Sequence, residues 1–365
     1  MGSDRALCLR GGLVWQPDGT WQRRNLWVRG GRIVTVARGA RTIDARGWYI
    51  APGFIDLHLW GGPVQRSREL VRNGTTGFLI TVGPEAPRTW LARIAAYAAA
   101  PTDGAALLGL HLEGPYINRA MAGALPRRAL RPARPAELRR ALTAAQGRVR
   151  LVTLAPEAVG ARDAIRLLRR AQVAASLGHT AASFAQARDA IEAGARSATH
   201  LLNRMRPPQA LDPGTAGAAL LDERVMVQLI CDGVHVAPEV VRLAVQVAGT
   251  ERVILVTDAV ASGRGAVYRA GRLAPARRYG LPGLAGSTLT MMQAVRNVVR
   301  WGAATLGEAI RMASLNPARL IGVARRKGGL EAGQDADLVV FDRAFRVQLT
   351  MAGGRVVYQP GASRN

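Results

Sequence analysis

At 365 residues the chain has room for two domains, or for one large barrel with an appendage. Hydrophobic residues at 48% against 21% charged provide for a sizeable buried core and exclude wholesale disorder. The 50 Lys and Arg against 25 Asp and Glu leave a formal charge of +25, yet Lys327 is the single lysine and the arginines are scattered without a basic block, so the charge reads as composition and no nucleic-acid partner is expected.

In chain order, residues 1–50 read as short strands. Leu13-Val14-Trp15 precedes a Pro17-Asp18-Gly19-Thr20 turn, and Leu26-Trp27-Val28 precedes Arg29-Gly30-Gly31 and a further strand from Arg32. Asp4, Arg5 and Arg10 leave no apolar leader, and no uncharged apolar run reaches the roughly 18 residues of a membrane span, so a cytoplasmic protein without a membrane partner is expected.

The middle of the chain alternates. Apolar runs of strand length occur at Gly53–His58, Thr76–Val82, Leu107–Glu113, Arg150–Leu154, Gln172–Gly178, Ser197–His200, Val225–Asp232 and Arg252–Asp258. Helically spaced segments such as Thr89–Ala99, Pro135–Ala145 and Ala161–Arg170 lie between them. Eight such units predict an α/β fold, a (β/α)8 barrel over 51–328. Segment 264–286 breaks the rhythm with Gly, Arg and Pro and predicts an inserted β-hairpin. The C-terminus returns to strands at Ala336–Phe341, Arg346–Thr350 and Arg355–Tyr358. Residues 1–50 and 329–365 are therefore expected to build one small β-sandwich domain from both termini.

The five histidines, His58, His111, His179, His200 and His235, all fall at or just past the end of a predicted strand. Any one alone would more often be a packed core or loop histidine than a ligand. Together they mark the C-terminal mouth of a barrel, where active sites gather. Glu113 and Asp258 end strands at the same level, and Asp56 and His58 share a face by strand alternation. Imidazoles with a carboxylate around one opening form a divalent-metal site, zinc being the commonest occupant, and a further aspartate can serve as general base towards an attacking water.

Six motifs occur in order: Pro52-Gly53-Phe54-Ile55-Asp56-Leu57-His58, His111-Leu112-Glu113-Gly114-Pro115, Gly178-His179-Thr180, Thr199-His200-Leu201-Leu202-Asn203, Asp232-Gly233-Val234-His235 and Thr257-Asp258-Ala259. With Leu284–Met291 and Asn316-Pro317-Ala318 they resemble the amidohydrolase superfamily and, within it, the N-acetylglucosamine-6-phosphate deacetylase family, over essentially the whole chain. The resemblance implies one divalent metal at Glu113, His179 and His200, and Asp258 as catalytic acid and base. It also implies His235 at the substrate's acyl carbonyl, Asn203 in the phosphate-binding loop, and a homodimer acting on a small amino sugar.

Three positions depart from the family's pattern. Trp60 stands where a second histidine or another polar residue is common, and an indole nitrogen has no lone pair for a metal. A single metal is therefore expected, with His58 and Trp60 lining the pocket. Leu125 and Leu211 stand where the family has a sugar-contacting His and a phosphate-gripping Arg. Arg204 or Arg206, in the same loop, would supply the lost charge, although solvent-facing arginines in an Arg-rich chain read as well. The primary expectation is deacetylation of N-acetylglucosamine 6-phosphate. The alternative is a different, unphosphorylated or differently acylated amino sugar. A metal-free barrel that only binds is disfavoured by the joint presence of Glu113, His179, His200 and Asp258. Cys8 and Cys231 form no disulfide framework, and Cys231 reads as packing rather than nucleophile.

Overall fold

The computed structural model describes residues 6–260, 268–269, 272–273 and 286–361. The chain opens with β1 (Leu7–Trp15), β2 (Trp21–Arg29), β3 (Arg32–Val34), β4 (Arg41–Asp44) and β5 (Tyr49–Pro52). Gly30 and Gly31, with φ of +56° and +74°, make the tight turn between β2 and β3 that only a residue at ease with positive φ supports.

The barrel strands follow as β6 (Phe54–Asp56), β7 (Thr75–Val82), β8 (Ala106–Glu113), β9 (Val149–Leu154), β10 (Ala174–Leu177), β11 (Ser197–Ala198), β12 (Met226–Ile230) and β13 (Val253–Val256). They form one parallel eight-stranded sheet in sequence order. Closure comes from a parallel bridge between Leu59 and Ala259, with Trp60 N donating to Ala259 O and Asp258 N to His58 O, both at 2.8 Å. The strands read as unbroken apolar runs because both faces are covered, and all eight residues of β7 are buried.

The helices between strands are α1 (Pro63–Leu70), α2 (Pro87–Ala98), α3 (Pro135–Ala144), α4 (Ala161–Arg170), α5 (Phe184–Ala193), α6 (Gly214–Leu221) and α7 (Pro238–Ala248). Then come α8 (Met291–Arg300), α9 (Leu306–Ala313) and α10 (Leu315–Leu320). Proline opens α1, α2, α3 and α7, where a missing N–H costs nothing. Capping boxes open α5, α8 and α9. Helix α4 buries Ala161, Ala164, Ile165 and Leu168, the spacing of one helical face.

Each predicted barrel run overlaps an observed strand. Ser197–His200 reduces to the two-residue β11, because His200 and Leu202 turn the chain with φ of +31° and +70°. Within the predicted hairpin insertion, β14 (Tyr268–Arg269) pairs antiparallel with β15 (Arg272–Leu273); the remainder of 264–285 lies outside the described residues.

Strands β16 (Leu338–Phe341), β17 (Val347–Ala352) and β18 (Arg355–Tyr358) join the N-terminal strands in one sheet, ordered β18-β17-β16-β5-β1-β2-β3 with β4 beside β1. Leu9, Val14, Leu26, Ile50, Leu338 and Met351 form its own core. Trp15 ties this β-rich domain to the barrel, donating from Nε1 to Gly307 O at 2.9 Å. Gly307 has to be glycine there, since a Cβ would stand 1.7 Å from Gly19 O. Among the described residues no helix is long and apolar enough to cross a membrane.

Candidate metal centre and catalytic site

The barrel geometry delivers each functional side chain to one mouth. Glu113 is the last residue of β8, and His179, His200 and Asp258 each follow β10, β11 and β13 by two residues. These last three have φ of +49°, +31° and +47°, backbone that costs a non-glycine residue free energy and that is maintained here by the closing strands.

Glu113 is the hub. Its Oε1 lies 3.0 Å from both His179 Nε2 and His200 Nε2, and those two nitrogens lie 3.2 Å apart. Its Oε2 lies 3.3 Å from His58 Nε2, which lies 3.3 Å from Asp258 Oδ1 as well. His179 Nδ1 faces the Met121 carbonyl at 2.8 Å, which fixes the proton there and leaves a lone pair on Nε2. That lone pair points at a carboxylate oxygen and at a second imidazole nitrogen. His200 Nδ1 and both ring nitrogens of His58 are buried without hydrogen-bond partners. One atom each from His58, Glu113 and His200 fall within 4.8 Å of one another. One carboxylate oxygen and two imidazole nitrogens thus converge on one point, so the donor set fits a divalent metal.

Burial works against charge on His58, Glu113, His200 and His111, and neighbours decide the balance. Burial would lower His58, but Glu113 and Asp258 raise it to about 9. Burial would raise Glu113, but His58, His179 and His200 hold it well below the ordinary carboxylate range. His200 is lowered, chiefly by burial. His111 is driven well below the usual imidazole range by burial and by the adjacent His58.

His111 therefore serves as neutral support. Its Nε2 lies 2.7 Å from Thr153 Oγ1, which continues through Thr199 Oγ1 to Ser176 Oγ in steps of 2.6 Å, and its ring edge packs on His58 at 4.6 Å. Sequence reasoning gives His111 no separate role, although its alternation with Glu113 is the available signal. Asp56 also belongs to the frame: it accepts from Thr257 Oγ1 at 2.5 Å and from His58 N at 3.2 Å, and burial raises it to about 6.

A cavity of about 660 Å³ opens above this cluster, with Trp60, Leu125, Asn203, Arg204 and Asp258 on its walls and Arg128 among the residues lining it. Arg93, also on the wall, is paired with Glu85 at 2.7 Å. Arg204 packs over Gly123, where a Cβ would meet Nε at 2.6 Å. Leu211, by contrast, is 100% exposed and is not among the lining residues. Reciprocal backbone bonds between Gln209 and Asp212 turn it outward, and Asp212 takes Arg206 as its partner, so Arg206 is already engaged. His235 is likewise not a lining residue: its Nδ1 bonds Asp232 at 2.6 Å, and its Nε2 is buried without a partner. Burial would raise Asp232, but His235 keeps it below its usual value. Cys231 is fully buried and its thiol is pushed up by that burial, consistent with packing.

Comparison with known proteins places this geometry. The amidohydrolase family model matches residues 49–357. An N-acetylglucosamine-6-phosphate deacetylase from Homo sapiens is 35% identical, covering 98% of this chain and 95% of its own. An N-acetylgalactosamine-6-phosphate deacetylase from Escherichia coli O157:H7 is 36% identical, covering 84% of this chain and 87% of its own. Among solved structures, a point mutant of the Mycobacterium smegmatis N-acetyl-D-glucosamine-6-phosphate deacetylase, in complex with N-acetyl-D-glucosamine-6-phosphate, superposes with a TM-score of 0.86 at 36% identity, covering 97% of this chain and 100% of its own.

Proposed function

The chain belongs to the amidohydrolase family and, within it, groups with the N-acetylglucosamine-6-phosphate deacetylases; from that premise we propose that it hydrolyses the acetamide of N-acetylglucosamine 6-phosphate to glucosamine 6-phosphate and acetate. The observation that carries this reading is the convergence of Glu113, His179, His200, His58 and Asp258 below one cavity, in a chain that aligns end to end with such enzymes.

A single divalent cation, zinc by its two-imidazole, one-carboxylate donor set, would be held by Glu113, His179 and His200 and would supply Lewis-acid polarisation of the acyl carbonyl and a more acidic attacking water. Asp258 takes the proton from that water and returns it to the leaving amine. His58 touches both carboxylates and holds them in register. The family resemblance assigns His235, anchored by Asp232, to the acyl carbonyl. The phosphate is assigned to the rim lined by Asn203, Arg204 and Arg128. The same reading has a homodimer in the cytoplasm, with domains divided near residues 50 and 328 and no nucleic-acid or membrane partner.

The test is acetate release by zinc-loaded protein from N-acetylglucosamine 6-phosphate, its galactosamine epimer and unphosphorylated N-acetylglucosamine. Turnover highest on the first supports the proposal, and none on the first overturns it. Preference for the epimer would move the assignment to the activity of the Escherichia coli relative.

A further inference from the structure

Trp60 is the member of the cavity wall whose chemistry the reaction above leaves unused. It lies two residues beyond His58, the two ring centroids 6.3 Å apart. Its Nε1–H donates to Asp258 Oδ1 across 3.0 Å. The backbone under this bond is pinned from both strands by Trp60 N to Ala259 O and Asp258 N to His58 O, each at 2.8 Å. The buried guanidinium of Arg66 staples the same seam, Nε to Trp60 O at 2.7 Å and Nη2 to Ala259 O at 3.1 Å. The far edge of the indole rests on bare backbone at Gly83, where a Cβ would stand 2.9 Å from Cη2. The ring is thus held in one place, with one acceptor for its proton.

We propose that Trp60 is the positioning residue for Asp258 and, in the same placement, the residue that limits the centre to one metal ion; the first half rests on the deacetylase reading. An indole nitrogen donates and has no lone pair, so Asp258 Oδ1 is the acceptor in this bond. With Oδ1 committed to Trp60 and facing His58, Oδ2 is the oxygen that takes and returns the proton. A carboxylate fixed about its side-chain torsion spends its time at the reacting angle, and rate is sensitive to such placement. Between His58 and Asp258, where a second ion would need a further ligand, the chain presents a ring that cannot coordinate.

The test compares wild type, Trp60→Phe, Trp60→Gln and Trp60→His for kcat, KM and zinc per chain on N-acetylglucosamine 6-phosphate. Trp60→Phe keeps a ring and removes the donor: kcat is expected to fall about tenfold with KM within twofold and zinc unchanged at one per chain. Trp60→Gln restores an N–H and should recover most of that kcat. Wild-type kcat in Trp60→Phe, no recovery in Trp60→Gln, or a loss that tracks missing zinc would each overturn the positioning role. Trp60→His adds a lone pair and is expected to take up a second zinc; one zinc in that variant, or two in wild type, overturns the single-metal role. If wild type releases no acetate, the deacetylase reading and the positioning role fall together, while zinc stoichiometry still decides the single-metal role.

Discussion

Two ionic clusters buried among the described residues are built to opposite ends. Where the barrel meets the β-rich domain, Lys327 Nζ sits between Asp335, at 3.0 Å, and Asp337. Asp335 also takes Arg326 at 2.7 Å and Arg32 at 3.2 Å, and Asp337 accepts from Gly353 N at 2.7 Å. Donors match acceptors and the cluster closes. Burial would lower Lys327, but Asp337 and Asp335 raise it; burial would raise Asp335, but Arg326 and Lys327 lower it. At the barrel mouth, acceptors face acceptors around Glu113, and buried ring nitrogens lack partners. Buried charge by itself therefore does not mark a functional site. Unmatched coordination does, because such groups are stable only with a cation or substrate among them.

The sharpest way to break this contrast is at Asp258. Asp258→Asn keeps the shape and removes the base, and acetate release should show kcat lower by on the order of 10²–10⁴-fold. Its Tm should stay close to wild type. A Tm loss that matched the kcat loss would mean that the mouth, like the Lys327 cluster, is structural.

The reciprocal experiment is Lys327→Met, which leaves buried Asp337 without a cation and Asp335 with only Arg326 and Arg32. Breaking a buried pair costs about 3–5 kcal/mol, to be read by denaturant unfolding, with kcat per folded molecule unchanged. The sign with pH follows from Asp335. Its lowered folded pKa gives stability that is present above the unfolded carboxylate value of about 3.9 and lost as pH falls through the folded value. The gap between wild type and Lys327→Met should therefore narrow below about pH 4. Zinc removal by a chelator should do the converse, abolishing turnover in wild type while this gap persists.

How much of this was legible in sequence depended on whether a feature is local or made by closure. Strand-end histidines show in one dimension, since a strand is a short apolar run and His179, His200 and Asp258 each stand just beyond one. The Trp60–Asp258 bond joins residues 198 apart, and only the Leu59–Ala259 closure of the barrel brings them together. His58 reads as a pocket residue, and its contact with both carboxylates depends on the same closure. The partners of Lys327 are hidden likewise: the sequence shows a lone lysine, and the alternation of Asp335 with Asp337 selects it only once the chain turns between them. Position 211 reads by analogy as the place of a pocket arginine, but the Gln209–Asp212 turn faces it outward.

At the rim, Arg204→Ala and Arg128→Ala test whether local arginines meet the phosphate. A charge-assisted contact to an anion is worth about 1.5–3 kcal/mol, so KM for the phosphorylated sugar should rise roughly tenfold or more in at least one variant. KM for the unphosphorylated sugar should not change. Equal KM in both variants and wild type would place the phosphate elsewhere.

The smallest effect is expected from Leu211→Arg. The side chain is fully exposed and outside the lining of its own cavity, so a guanidinium there stays in bulk solvent, where an isolated surface charge contributes about 0–1 kcal/mol. KM should change less than twofold in dilute protein. The informative axis is protein concentration. If a second copy brings residue 211 over a neighbouring cavity, KM of Leu211→Arg will fall as the enzyme is concentrated while wild type stays flat. Parallel behaviour of the two proteins means that recognition is completed within one chain, and that the arginines at positions 128 and 204 have taken over what a residue at 211 would otherwise supply.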